Sequence, residues 1–378
     1  MGLADFVATA AGRLMGGRGN SSITVPVMDG PLKPNDMLET AAAVLEEPGI
    51  DNLVMGANGL LASAGDRLLR LRAAGADAPQ TPASFNAEIM SLAAHPDAAV
   101  AIGLDGGGIR LLAADGTEQS LVGGDKINCP TAMIFADANT LLVCNGSRTT
   151  GARDWPRDLL ELGRSGSVLR VEVASGRVET IRRDLAYPAG LCLTPDGSLI
   201  VSEAWRHRLV RLPADGGAPV SVLDDLPAYP GRIVSAGNGG YWLAAFAVRS
   251  QLQEFVLREH GYRKMMMAEV EPDYWIAPAL ASGLSFKEPL QAGGVIRLGI
   301  HKPWAPTRSY GLLIQLNDDF APVASAHSRA GGSRHGVTSV LPVDGNVLVT
   351  ARGAGVLMRM DSRAFDDVSQ SGEKGSVQ

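Results

Sequence analysis

Asp51, Glu88, Arg232 and His335 carry the clearest chemical potential in this chain, because each stands at the opening of one of a series of similar short apolar segments. A guanidinium in such a place can hold a carboxylate or stabilise a developing oxyanion. An imidazole, or either acid, can move a proton. The same residues also have plainer uses. Arg232 can pair with Glu88 or Asp51 to tie two units together, His335 can be a structural donor, and Glu203 in SEAWRHR (202–208) can bond a neighbouring unit. Asn52, Thr131, Asn145, Glu203, Arg249 and Thr338 complete the polar groups that could touch a substrate.

A hard divalent cation needs several oxygen ligands at about 2.3–2.6 Å. Only Asp51, Asn52 and Glu88 are good donors here, and they come from neighbouring units, so no cofactor is expected; calcium or another divalent ion on those three residues is the alternative. No GxSxG, HExxH or Walker pattern is present, and Gly106-Gly107-Gly108 runs into IRLLAADG, which reads as a strand. Without a helix N-terminus that run is a turn and not a phosphate loop. Cys129, Cys144 and Cys192 fit neither a CxxC motif nor a disulfide framework.

Composition narrows the partners. With 378 residues, 46% of them hydrophobic, the chain can bury a large core, and its net charge of −6 offers no basic field to phosphate backbones. The expected partner is a small molecule, with no nucleic acid. No segment approaches the ~18 apolar residues of a membrane span. Asp5 stands where a signal peptide carries positive charge, so the expectation is a cytoplasmic protein. Residues 3–15 read as a short amphipathic helix packed on their own domain.

The elements that must position these groups come from a repeat. YPAGLCLTPDGSLIVSEAWRHRLVRLPADG (187–216) reads as strand, Pro-Asp-Gly turn, strand, loop, strand, Asp-Gly turn. Related units begin near residues 50, 87, 131, 231 and 336, and the 45 Gly and 22 Pro punctuate them. Such spacing suits four-stranded propeller blades of roughly 40–50 residues, the last gap being lengthened by an insertion. The expected fold is all-β, a six-bladed β-propeller over 49–363. Residues 1–48 form an extension with a helix at Pro34–Glu47, and 364–378 a flexible tail. The insertion, about 250–310 in blade five, is helical over Ser250–Val270. Its Met265-Met266-Met267 and Tyr274-Trp275 suit an adaptable apolar lid, with Trp275 a candidate substrate contact.

Four stretches carry a resemblance: PVMDGPLKPN (26–35), LTPDGSLIVSEAWRHRLVRL (193–212), LPAYPGRIVSAGNGGYWLA (226–244) and HGVTSVLPVDGNVLVTARGAGVLMRMD (335–361). In this order they resemble bacterial strictosidine synthase-like proteins. The resemblance implies six blades and kinship with gluconolactonase-type (SMP-30) and diisopropyl-fluorophosphatase-type hydrolases, which hold calcium or a similar ion at the tunnel mouth. It places Asp51 or Asn52 at the first-blade acid. Where the pattern has Asn in blade four and Pro-Asp-Asn in blade five, this chain has Pro188-Ala189-Gly190 and Pro230-Gly231-Arg232. The glutamate that strictosidine synthase uses for amine–aldehyde condensation matches Thr338, which cannot serve as that acid/base.

The expected function is a metal-independent hydrolase or lyase for a small, partly apolar, anionic substrate. Arg232 would anchor or polarise it, and His335, Glu88 or Asp51 would move the proton. A calcium-dependent lactonase or arylesterase, or a non-catalytic propeller that binds a small ligand, are the alternatives.

Overall fold

Short Val-, Ile- and Leu-rich runs separated by Asp-Gly and Asn-Gly turns can do little except pair with their neighbours in hairpins. The chain does this six times. The computed structural model describes residues 25–71, 78–237, 239–289, 296–297, 300–301 and 308–366. The amphipathic stretch 3–15 and the tail from 367 lie outside the described residues, as does much of 290–307.

Blade one is Ile50–Gly56, Gly59–Ala64, Arg67–Leu71 and Gln80–Ser84; blade two is Ile89–Ala94, Val100–Leu104, Gly108–Leu112 and Glu118–Val122. Blade three is Pro130–Asp137, Thr140–Asn145, Gly166–Glu172 and Val178–Leu185; blade four is Pro188–Leu193, Leu199–Glu203, Arg208–Leu212 and Val220–Leu223. Blade five is Ala228–Ser235, Tyr241–Val248, Gly311–Leu316 and Pro322–Ser328. Blade six is Val337–Val343, Asn346–Ala351 and Val356–Asp361, and its fourth strand comes from the other end of the chain, Ala42–Glu46. The protein is a six-bladed β-propeller.

That fourth strand corrects one expectation. Only one turn of helix, α1 (Met37–Thr40), forms within Pro34–Glu47. Ala42–Glu46 pairs antiparallel with the last strand, from Ala42 opposite Arg359 to Glu46 opposite Val356. The open edge of blade six offers a row of unpaired backbone groups, and satisfying it outweighs the helix preference of an Ala- and Glu-rich segment. The ring therefore begins at Ala42.

A second short helix, α2 (Trp155–Leu160), lies between the second and third strands of blade three. In blade five, α3 (Gln251–Arg258) and α4 (His260–Glu269) follow the second strand. Ser250 caps α3 by accepting the Gln253 N–H at 3.2 Å, and Glu259, at φ −81° and ψ 80°, breaks the single helix expected over 250–270 into two. Val256, Leu257, Met266 and Trp275 of this segment pack with Tyr187, Trp205 and Phe246 in one apolar cluster at the hub. No described helix is long and apolar enough to cross a membrane.

The core lies between blades, as in the layer where Leu61 and Leu68 of blade one meet Ile102 and Leu104 of blade two. A circuit of hydrogen bonds joins neighbouring blades around the hub. Asn52 Nδ2 donates to the Ile89 carbonyl (3.2 Å), Ser91 Oγ to Pro130 (2.7 Å), Thr131 Oγ1 to Pro188 (2.6 Å) and Ser202 Oγ to Gly231 (2.6 Å). Arg232 Nη1 donates to the Thr338 carbonyl (2.8 Å), and the Leu53 N–H closes the circuit on Ser339 Oγ (3.0 Å). A Cβ on Gly190 would collide with the Gly231 carbonyl, so glycine is what lets Ser202 reach it.

Candidate functional site

Each inner strand slips register near its start. The shifts fall between Asp51 and Val54, Ile89 and Ser91, Pro130 and Ala132, Pro188 and Gly190, Pro230 and Ile233, and Val337 and Ser339. A bulge bends a strand and re-aims one side chain out of the alternating pattern. Residues at these shifts, namely Asp51, Met90, Thr131, Ala189, Gly231 with Arg232, and Thr338, line one basin at the hub, of about 510 Å³ with its open mouth included. Trp155, Tyr187, Phe246 and Leu280 form its largely apolar wall, and Arg352 joins its floor.

Asp51 is the centre of that floor and is 2% exposed. Its Oδ1 accepts from Arg232 Nη1 (3.0 Å) and Thr338 Oγ1 (2.7 Å), while Arg352 Nη1 lies 3.7 Å from Oδ2. Burial alone would push its pKa up. The charges of Arg232 and Arg352 and the Thr338 hydroxyl outweigh that and hold it below the ordinary carboxylate value. Arg232 also donates Nη2 to the Met90 carbonyl at 2.6 Å. One guanidinium thus gathers oxygens from blades one, two and six. Arg352 Nη2 donates to Glu88 Oε1, and Arg153 Nε lies 3.2 Å from Glu88 Oε2. Three arginines face Asp51, Glu88 and, at the rim, Asp105, so the charges are matched in number and the two floor guanidiniums lie beneath an apolar wall. Asp105, held by the Ala152 N–H at 2.6 Å, borders the rim, and its pKa is raised by burial.

The expected residues divide accordingly. Asp51, Thr131, Arg232 and Thr338 meet in the basin, and Glu88 joins them through Arg352. Asn52 is buried beside them, with Nδ2 on Ser63 Oγ (2.7 Å) and its Oδ1 without a partner among the described residues. His335 is not on the basin surface. Its Nε2 donates to the Arg329 carbonyl (2.8 Å), so Nδ1 accepts from Ser309 Oγ (2.7 Å), and burial lowers its pKa. With both nitrogens engaged away from the basin, it is placed as a structural group. Glu203 is fully buried on Arg208 Nε (2.7 Å) and the Ala186 N–H (2.8 Å). Arg249 ties Asp225 (2.7 Å) to Glu254 (3.2 Å) at the start of α3, and Asn145 accepts the Cys129 N–H (2.9 Å). Trp275 is buried behind the wall, donating to the Val270 carbonyl (2.9 Å) beneath Arg157. Arg352, Trp155, Tyr187 and Phe246 were not singled out from the sequence. For Arg352 a signal existed: it directly follows the second strand of its blade, as Asp105 and Arg249 do in theirs.

His335, together with the fully buried His327, makes the fold acid-sensitive. His327 is pushed down to about 3 by burial, with the Arg329 charge adding to it. Both imidazoles are neutral when folded but bind a proton near pH 6.5 when unfolded, so their stabilisation is complete above that pH and is lost as pH falls below it. Urea unfolding at pH 5.5 is expected to show about 1–3 kcal/mol less stability than at pH 7.5. Equal stability at the two pH values would contradict the neutral, buried assignment.

The calcium that the resemblance implies does not fit these residues. The convergent oxygens, the Asp51 carboxylate and the Thr338 and Met90 carbonyls, are already gathered by the Arg232 guanidinium, and Glu88 is held by two further arginines. Among the described residues no three His, Cys, Asp or Glu side chains converge as ligands.

Comparison with known proteins agrees with this architecture. Residues 185–212 match the NHL repeat. The chain is 24% identical to an adipocyte plasma membrane-associated protein of Salmo salar over 50% of this chain and 47% of that one. It is 27% identical to strictosidine synthase-like protein 6 of Arabidopsis thaliana over 36% of this chain and 38% of that one. It thus spans less than half the length of the curated relatives it matches. A gluconolactonase of Xanthomonas campestris superposes with a TM-score of 0.55 at 14% identity, covering 84% of this chain and 87% of that one, which speaks to the fold. The protein is a six-bladed propeller whose sequence is similar, over part of its length, to strictosidine synthase-like and adipocyte plasma membrane-associated proteins.

Proposed function

We propose that the protein hydrolyses an ester or lactone bond in a small, partly apolar, anionic molecule, using arginine where a metal-dependent enzyme uses its ion. One observation carries the reading: two guanidiniums with unspent N–H groups face an apolar basin at the hub. Nη1 of Arg232 is occupied by Asp51 and Thr338, and one Nη2 hydrogen by Met90, which leaves Nε and the other Nη2 hydrogen without an acceptor among the described residues. Donors fixed in advance and partly shielded from water stabilise an oxyanion strongly.

In this reading the substrate carbonyl oxygen rests on those donors. Water attacks the carbonyl carbon, Glu88 takes the proton from it, and the negative charge on the tetrahedral oxygen is held by Arg232, while Arg352 holds the substrate's own anionic group. Collapse breaks the bond to the leaving oxygen, which receives the proton back from Glu88. Asp51 fixes both arginines and stays ionised throughout. The gluconolactonase name of the structural neighbour supports lactone or ester cleavage.

One observation favours a second reading, a receptor that binds without turnover: both acids at the floor are already paired with arginine. Assaying the purified protein on 4-nitrophenyl esters and on five- and six-membered lactones separates the two. Turnover is expected to survive EDTA and to fall ~100-fold or more in Glu88→Gln, the usual scale for removing a general base. Turnover abolished by chelation and restored by calcium overturns the reading; saturable binding with no product leaves the receptor.

A further inference from the structure

We infer that the anion this basin selects is the carboxylate of a planar aromatic monoacid, received by Arg352. The inference rests on the basin being the ligand site and narrows what it takes. Of the two floor arginines, Arg352 is the less committed. Its hydrogen bond is Nη2 to Glu88, and its approach to Asp51, at 3.7 Å, is an ion pair too long for a hydrogen bond. A guanidinium carries five N–H groups, so four have no protein acceptor among the described residues, although the side chain is only 18% exposed. Polar hydrogens this far from bulk water are normally satisfied by a ligand or by ordered water. The planar fork of arginine matches the two oxygens of a carboxylate.

Charge sets the valence. Arg153, Arg232 and Arg352 are matched in number by Asp51, Glu88 and Asp105, so the cluster has no surplus charge for a phosphate or a dicarboxylate and suits at most a monoanion. Shape sets the body. Tyr187 is stacked on Trp205 with ring centroids 4.4 Å apart, and Trp155 meets Phe246 edge-on at 5.3 Å. Rings braced in this way make a pre-ordered apolar wall against which a flat ligand can pack. Trp155 is anchored in turn by the loop that Asp105 and Glu88 hold through Ala152 and Arg153.

The experiment titrates the full chain with sodium benzoate, benzamide, acetate and phthalate at constant ionic strength, by calorimetry and tryptophan fluorescence. Benzoate is expected to bind saturably and perturb the fluorescence. Benzamide, flat but neutral, acetate, charged but without a ring, and phthalate should each bind at least ~10-fold more weakly, the scale of one charge-assisted hydrogen bond. Arg352→Gln should lose the preference for benzoate over benzamide. Should that variant fail to fold, Trp155→Leu provides the check, since it should erase the preference for benzoate over cyclohexanecarboxylate. Benzamide binding as tightly as benzoate, or Arg352→Gln keeping the preference, overturns the inference. Ester hydrolysis that benzoate fails to inhibit removes this inference and leaves the hydrolase standing; benzoate binding without turnover on any ester does the reverse.

Discussion

Arg232→Ala is expected to lose about 3–5 kcal/mol of stability, the usual cost of removing one partner of a buried ion pair. Asp51 would be left almost fully buried, with Arg352 at 3.7 Å as its remaining counter-charge. The Met90 and Thr338 carbonyls would lose a donor, and the link from blade five to blade six would open. A cavity lined by a carboxylate and two carbonyls remains, so millimolar guanidinium or calcium should raise the melting temperature of the variant and leave the wild type unchanged. Pairing Arg232→Met with Asp51→Asn should cost less than the two single changes together, because no unpaired charge is then buried. A melting temperature unmoved by Arg232→Ala would show that Asp51 finds its compensation elsewhere.

Deleting residues 1–46 is expected to abolish the cooperative thermal transition. The deletion removes the outer strand of blade six, with Val44 and Leu45 that pack against Ile50, Leu348 and Leu357. It also removes Asn35, which bonds the Ser325 carbonyl at 2.8 Å, and Glu39, which takes the Ser333 and Arg334 N–H groups at 2.9 and 3.1 Å. Because Ala42–Glu46 runs antiparallel to Val356–Asp361, a chain starting at Glu47 with residues 37–46 joined after Asp361 by a short hairpin should recover the transition. Failure of that permuted chain, with the deletion itself still folding cooperatively, would mean that the sixth blade does not need its fourth strand.

What could be read from the sequence was local. Asp-Gly and Asn-Gly turns and the apolar runs between them depend on near neighbours, and they located the inner strands to within three residues, at 50, 89, 130, 188, 228 and 337. The closing strand was not legible, because its partner lies more than 300 residues away and nothing nearby in sequence favours extension of LETAAAVLEE. The hub was half legible. Asp51, Thr131, Arg232 and Thr338 were found by taking the start of each inner strand. His335 and Glu88 were also taken from strand starts, but the bulges of blades six and two present Thr338 and Met90 to the basin. A one-residue displacement in a strand reverses the face a side chain occupies, and no period-two pattern reveals a bulge beforehand. Trp155 comes from a segment outside the strands, where the repeat says nothing, and Tyr187 opens the repeat unit 187–216 one residue before its first strand.

The six bulges have an evolutionary corollary. Each hub side chain rides on a kink, so its identity is uncoupled from the ladder that holds its sheet. At Ala189, whose side chain makes no hydrogen bond, one codon change would alter the chemistry offered to a ligand while every blade kept its pairing. A scaffold of this kind can therefore change ligands by exchanging single positions around a fixed wheel, and Arg232, which joins oxygens of three blades, shows how much one such position can hold.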